Sequence, residues 1–458
     1  MPAKDALTRP HRAIIGAFAA WKLFLLAIAS CSAAVSDAYD TSATLLVGNN
    51  GFHSGSNSSG FLDPVRAMIT RLTAWDAIYF VSIARRGYRF EQEWAFGTGF
   101  PTVISGLTSL LGFEDDDRGV LVEAVIGVAV ANTAHLLSAL VLYRLGLLLS
   151  GSDGNRKKVA LIAAICHVLS PAGMFLAAPN PESSFSLLSF TGYLLFALSC
   201  SQQQTLKRDG YVILAGVVFG LATAFRSNGI LNGIPFAFEV LRTLPLLLTA
   251  RYPSEAVDTV QHLAALGIGG VCVAAGSVIP QAIAYQRYCT GSSPRGWCQG
   301  YLPSIYAFVQ EHYWNNGFLR YWTLSNLPLF LLAAPMLTIL VVSGVDQLKS
   351  LPELWRQPLT TKKTGDRKKA VESDQLARLN TLVFSAAAAQ LVLALLTFTT
   401  SHVQIITRIS SGYPLWYLWL AKQLTTQEGK VVGGRIVMFM VIYATVQGAL
   451  FASFLPPA

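Results

Sequence analysis

The sequence predicts an all-α, polytopic membrane protein organised as a single transmembrane domain over residues 1–458, and three observations predict it. The chain is 53% hydrophobic and only 13% charged, with a mean hydropathy of +0.46, which excludes a soluble globular protein. Apolar runs of roughly 18–25 residues recur along it, each long enough to cross about 30 Å of hydrocarbon as a helix. The basic residues behind the net charge of +9 gather in short loops between alternate runs, so the excess charge reports membrane orientation and not nucleic-acid binding.

About eleven runs qualify as spans on length and apolarity. The first, 13–35, follows Lys4, Arg9 and Arg12; it is either a span or an uncleaved signal anchor, since Ser32-Ala33-Ala34 weakly resembles a signal-peptidase site. Either choice places 36–118 on the far, luminal side as a first large loop, where the sequon Asn57-Ser58-Ser59 is a candidate glycosylation site. The next runs are 120–150, 159–178, 183–200, 211–225 and 230–250, the last interrupted by Pro235, Glu239, Arg242 and Pro245. Run 263–285 opens into a second luminal loop, 286–325, rich in Tyr and Trp, which suits an aromatic belt at a membrane surface. Run 327–345 leads to the most basic loop, 346–378, expected in the cytosol, and 379–398, 413–421 and 436–454 complete the set.

The segment Arg71 to Pro101 is the one around which the chemistry is expected to gather. Leu72, Trp75, Tyr79 and Ile83 recur at helical spacing, Arg85 and Arg86 close the last turn, and Gly87 follows at a left-handed cap position, so one short interfacial helix is expected. Asp76 lies on it; Glu91 and Glu93 follow, then Trp94, Phe96 and Phe100. Thr73-Ala74-Trp75-Asp76 also fits a capping box, so Asp76 is either a catalytic carboxylate or a cap for backbone donors, and Glu91 and Glu93 are either functional or solvated. The alternation of loops puts Asp76, Glu91, Glu182, Arg226 and His402 on one side of the membrane, apart from the Lys/Arg-rich loops. No nucleotide-binding loop, zinc-spaced His/Cys set or dinucleotide fingerprint is present, so no metal site and no cofactor are expected. Four of the six cysteines lie in or beside apolar runs; Cys289 and Cys298 share the second luminal loop and are candidate disulfide partners in an oxidising compartment.

Several strings, in order and across nearly the whole chain, resemble the GPI mannosyltransferase II (PIG-V) family. They are Trp75-Asp76-Ala77 with Gly87-Tyr88, Glu91 and Gly99-Phe100-Pro101; Ser170-Pro171-Ala172 with Glu182-Ser183; Arg226-Ser227-Asn228-Gly229; Tyr313-Trp314-Asn315-Asn316-Gly317-Phe318-Leu319; and His402-Val403-Gln404 with Thr407-Arg408. Thr98 stands where the family usually has Pro, and Pro328-Leu329-Phe330 where it typically has Pro-Asn-Phe. The resemblance implies a GT-C type bundle in the endoplasmic-reticulum membrane. It implies transfer of the second mannose, α-1,6-linked, from dolichyl-phosphate mannose to a mannosylated GPI precursor. Asp76 and Glu91 would then be the catalytic carboxylates. Trp75, Glu182, Arg226, Asn228, Trp314, Asn315, His402, Gln404 and Arg408 would bind substrate, with the cations stabilising the leaving phosphate. Arg226 as a mere loop anchor and His402 as a satisfied interfacial histidine remain the structural alternatives. The fungal members resemble enzymes that work with a small accessory membrane subunit, so such a partner joins membrane lipids in the expected set. Rival readings are another polyprenyl-phosphate-sugar-dependent mannosyltransferase, a secondary transporter or lipid scramblase, and a non-catalytic scaffold. Transporters favour midplane charge pairs and inverted repeats, and no repeat is evident.

Overall fold

The computed structural model describes residues 3–48, 62–113, 120–150, 154–291, 293–349 and 367–455, and among them the secondary structure is helical, without a strand. Helices of eight residues or more are, in order, α1 (Pro10–Val35), α2 (Leu62–Leu72), α3 (Asp76–Arg86), α4 (Gly99–Leu110), α5 (Leu121–Leu149), α6 (Arg156–Val168), α7 (Glu182–Cys200), α8 (Thr205–Phe225), α9 (Ile234–Thr249), α10 (Pro253–Cys289), α11 (Ile305–His312), α12 (Leu327–Leu348), α13 (Arg367–Thr400), α14 (Pro414–Thr425) and α15 (Lys430–Ala452). Nine helices among the described residues are long and apolar enough to cross a membrane. The sequon Asn57 and most of the basic loop 346–378 lie outside the described residues.

Two of the eleven expected runs are not single helices of membrane-crossing length. The run 159–178 is a helix of only 13 residues, α6, followed by an irregular buried stretch. The run 413–421 belongs to α14, 12 residues long. At about 1.5 Å per residue each of these helices rises only about 20 Å, and irregular residues beside it make up the rest of the run. They pack on each other in the interior of the bundle, where Trp416 and Tyr417 are fully buried and stacked at 3.7 Å. Both runs are apolar because protein surrounds them, and hydropathy does not distinguish that from contact with lipid. The run 230–250 begins as a 3-10 turn, Ser227–Gly233, before α9, and the Glu239 and Arg242 that seemed to interrupt it pair with each other at 2.5 Å.

The tightest crossing is that of α8 with α10. A Cβ on Gly220 would collide with the carbonyl oxygen of Cys272, and one on Gly276 with the carbonyl of Gly220, so only glycine permits this approach. At the basic end of the same helices, His262 meets Asp209 at 2.7 Å, tying α10 to α8. At the other end Phe225 of α8 and Ser277 and Gln281 of α10 line a cavity of about 1150 Å³.

Candidate active site

The expected single helix through Leu72 and Ile83 is two helices, α2 and α3, broken at Thr73–Trp75. The Thr73 hydroxyl donates back to the Ile69 carbonyl at 2.8 Å and so closes α2 instead of capping α3. Trp75 then adopts φ 59° and ψ −130°, a conformation that costs a side-chain-bearing residue about 1–3 kcal/mol and is held here by its ring against Phe454 at 5.2 Å. This kink makes Asp76 the first residue of α3 and a lining residue of the cavity. Its carboxylate accepts from a side chain far along the chain and not from a capping backbone group: Arg408 donates through NH2 to Asp76 Oδ2 at 2.7 Å.

Arg408 joins two acids. Its Nε and NH2 also donate to Oε1 of Glu182, at 2.9 and 2.6 Å, and Arg226 donates through NH1 to the same oxygen at 2.7 Å. Glu182 is wholly buried, so two guanidinium groups on one carboxylate oxygen are what permit its charge there. Both acids begin helices, α3 and α7, where unpaired backbone N–H groups favour negative charge. Burial by itself works against the charge on Arg408, and the carboxylates of Glu182 and Asp76 outweigh it, so its pKa moves up and the cation is fixed. The cluster Asp76–Arg408–Glu182–Arg226 is thus neutral in sum. Asp76, 35% exposed at its side chain, keeps Oδ1 free of protein hydrogen bonds among the described residues.

The floor beneath Arg408 is the irregular stretch after α6. Phe175, in the 3-10 turn Gly173–Leu176, lies under the guanidinium at 3.7 Å to its ring centre. Backbone groups in that stretch lack helical partners, and side chains from four membrane helices satisfy them. Lys22 of α1 donates to the Leu176 carbonyl at 2.9 Å, Asn132 of α5 to Ala177 at 2.9 Å, and Ser183 of α7 to Leu176 at 2.9 Å, while Gln447 of α15 accepts from the Met174 N–H at 3.0 Å. Lys22, Asn132, Gln447 and Phe175 are absent from the residues expected from sequence. The signal was there for the first three, as polar side chains inside apolar runs.

Of the other expected residues, Trp75, Arg226, Asn228, Trp314, His402 and Gln404 line the cavity with Asp76 and Arg408. Asn228 and Tyr413 bond each other, His402 Nε2 meets the Trp314 carbonyl at 3.1 Å, and Gln404 accepts from Tyr321 at 3.1 Å. Asn315 is exposed with φ 51°, and its neighbour Asn316 lines the cavity. Glu91 lies apart from the cavity lining; Trp297 donates to it at 3.1 Å and Arg295 approaches at 3.4 Å. Glu93, far from solvated, is buried: burial raises its pKa, but Arg86 at 2.5 Å and the backbone N–H groups of Arg89 and Phe90 outweigh that and pull it below the usual value. A disulfide joins Cys289 and Cys298, and Trp297 beside it packs with Trp94, so the two large loops form one unit. Among the described residues no group of three or more His, Cys, Asp or Glu side chains is placed to hold a metal ion.

Chemically, the cavity offers at Asp76 a carboxylate oxygen free to take a proton, cations within reach of a developing anion, and aromatic walls. A family model for Mannosyltransferase (PIG-V) matches residues 21–458. A GPI mannosyltransferase 2 of Chaetomium globosum is 56% identical over 98% of this chain and 97% of its own length. A GPI alpha-1,6-mannosyltransferase 2 of Cricetulus griseus is 30% identical over 80% and 75%. Among solved structures, the apo oligosaccharyltransferase of Archaeoglobus fulgidus gives a TM-score of 0.42 at 14% identity, with 96% of this chain spanning 56% of that one. The chain belongs to the Mannosyltransferase (PIG-V) family and is a membrane-embedded glycosyltransferase.

Proposed function

We propose that this enzyme transfers the second mannose, α-1,6-linked, from dolichyl-phosphate mannose to a mannosylated GPI-anchor precursor, at the luminal face of the endoplasmic-reticulum membrane. The names of its relatives support the linkage and the pathway. The observation that carries the mechanism is the split carboxylate of Asp76, with Oδ2 held by Arg408 and Oδ1 free at the cavity.

A β-linked phosphate donor that yields an α-linked product requires inversion, so the acceptor hydroxyl attacks the sugar carbon on the face away from the phosphate. Asp76 Oδ1 takes the hydroxyl proton as the new C–O bond forms and the bond to phosphate breaks. Dolichyl phosphate leaves as an anion and needs charge compensation more than a proton. Arg226 and Arg408 supply it, since Arg226 NH2 and Arg408 NH1 are outside the bonds to Glu182 and Asp76 among the described residues. Glu182 positions both cations. His402 Nε2 donates to the Trp314 carbonyl, which leaves Nδ1 to meet a sugar hydroxyl. Glu91 acts as a brace between the two large loops.

The test is transfer from labelled dolichyl-phosphate mannose to a one-mannose GPI precursor in microsomes, where any accessory membrane subunit is present. Asp76→Asn keeps an acceptor for Arg408 and removes the base. Loss of product by about 10²–10⁴-fold at matched protein level is expected, and full activity in the variant would refute the role.

A further inference from the structure

We propose that a neutral stretch of the cavity wall, built by Gln281, Tyr306, Gln310 and Asn316 beside Trp314, is the subsite for the uncharged sugar of the acceptor. This inference rests on the functional reading above and extends it to which substrate binds where.

The wall differs in kind from the charge cluster. Its polar groups are planar amides and the Tyr306 hydroxyl, which bonds Ser227 at 2.9 Å, and Arg320 nearby is paired with Glu311 at 2.7 Å. The Arg320–Glu311 pair leaves little net charge there for a phosphate or carboxylate, whereas a polyhydroxylated ring needs fixed neutral donors and acceptors.

The amides are fixed. Oε1 of Gln281 accepts from the Ser304 hydroxyl at 3.0 Å and from the Tyr306 N–H at 3.2 Å, so the NH2 end is the one left over, without a protein partner among the described residues. Oε1 of Gln310 accepts from Asn316 Nδ2 at 2.6 Å, which leaves the Gln310 NH2 unused in the same way. Asn316 Nδ2 has then used one of its two hydrogens, and its Oδ1 is buried with no hydrogen-bond partner. The three residues that carry these two unused NH2 groups and this unpaired acceptor line the same cavity. A buried acceptor left unpaired is costly, and a ligand hydroxyl removes that cost.

Trp314 adds an apolar face for the C–H side of a pyranose. Its ring is braced edge-on by Phe96 at 5.6 Å and its carbonyl by His402. Donor and acceptor are sorted by charge: the donor's phosphate belongs with Arg226 and Arg408, and the neutral wall is left for the sugar whose hydroxyl reaches Asp76.

Gln281→Glu and Gln310→Glu are near-isosteric and keep the Oε1 contacts that hold the loop, while removing the unused NH2. With donor and acceptor varied separately, each variant should raise the acceptor KM about tenfold, one lost hydrogen bond, with the donor KM within about twofold of wild type. Acceptors lacking single hydroxyls supply an independent arm: at least one should lose about tenfold on wild type and nothing further on the matching variant. A donor KM that rises as far as the acceptor KM, or an acceptor KM that does not move, overturns the subsite. If a variant does not accumulate, the deoxy series on wild type decides alone, and uniform KM values overturn the proposal. A wild-type enzyme that mannosylates no GPI precursor overturns the functional reading along with it, a result separable from normal transfer with unshifted acceptor KM.

Discussion

Lys22→Met separates a structural from a catalytic contribution, because the two should move in opposite directions. Lys22 sits in the middle of α1 with its side chain buried, and its amine makes one hydrogen bond, to the Leu176 carbonyl at 2.9 Å. Methionine has nearly the same volume and no donor. The lost hydrogen bond costs about 1 kcal/mol. Leu176 keeps its second partner, Ser183 at 2.9 Å, so no carbonyl is orphaned. Against this, removing a buried amine from the membrane interior returns roughly 2–3 kcal/mol of desolvation, so the variant should be as stable as wild type or more so. Catalysis should suffer. The Gly173–Leu176 turn carries Phe175 under Arg408; a displacement of about 1 Å at a positioned group costs up to about 10²-fold in rate, and a fall in kcat of about 10-fold or more is expected. The assay pairs thermal unfolding of the detergent-solubilised enzyme with transfer kinetics at saturating substrates. Lys22→Gln, which restores a neutral donor, should recover part of kcat. A methionine variant with wild-type kcat, or one that loses more than about 2 kcal/mol of stability, would refute the reasoning.

Three further outcomes are expected. Arg408→Lys keeps a charge but cannot bond two carboxylates through a planar fork or stack on Phe175, so kcat should drop about 10²-fold or more with a lowered melting temperature, read in the same two assays. Glu93 has its pKa pulled below the ordinary 4.5 in the folded protein, so its contribution to stability is complete above that pH and is lost as pH falls towards the lowered value. Melting temperatures across that window should fall for wild type and fall less steeply for Glu93→Gln, and parallel profiles would refute it. Gly220→Ala forces a methyl into the Cys272 carbonyl where α8 crosses α10, and the overpacking should cost about 1–3 kcal/mol in thermal unfolding.

Much of the site was legible residue by residue. Asp76, Arg226 and His402 were expected on one side, and the structure places them, with Arg408, around one cavity. The reason is topological: once apolar runs alternate across a membrane, every second loop shares a face. Asn315 against Asn316 was not legible, since a left-handed φ at the first turns the second inwards, and nothing in the string Trp314-Asn315-Asn316-Gly317 tells the two amides apart. Glu91 against Glu93 was not legible either, because which acid is buried depends on where Arg86 and the second loop come to rest.

The sequence by itself determined which segments are apolar enough to leave water, how their ends alternate, and which ionisable groups collect on one side. These follow from composition and spacing within windows of about 20 residues, the scale on which transfer out of water is decided. Only the tertiary structure decided that α6 and α14 are short helices enclosed by protein, that α2 and α3 break at Trp75, and that one arginine bonds an acid 332 residues away and another 226 residues away. Those pairings depend on how helices pack against each other, and packing partners leave no periodic mark on the local sequence.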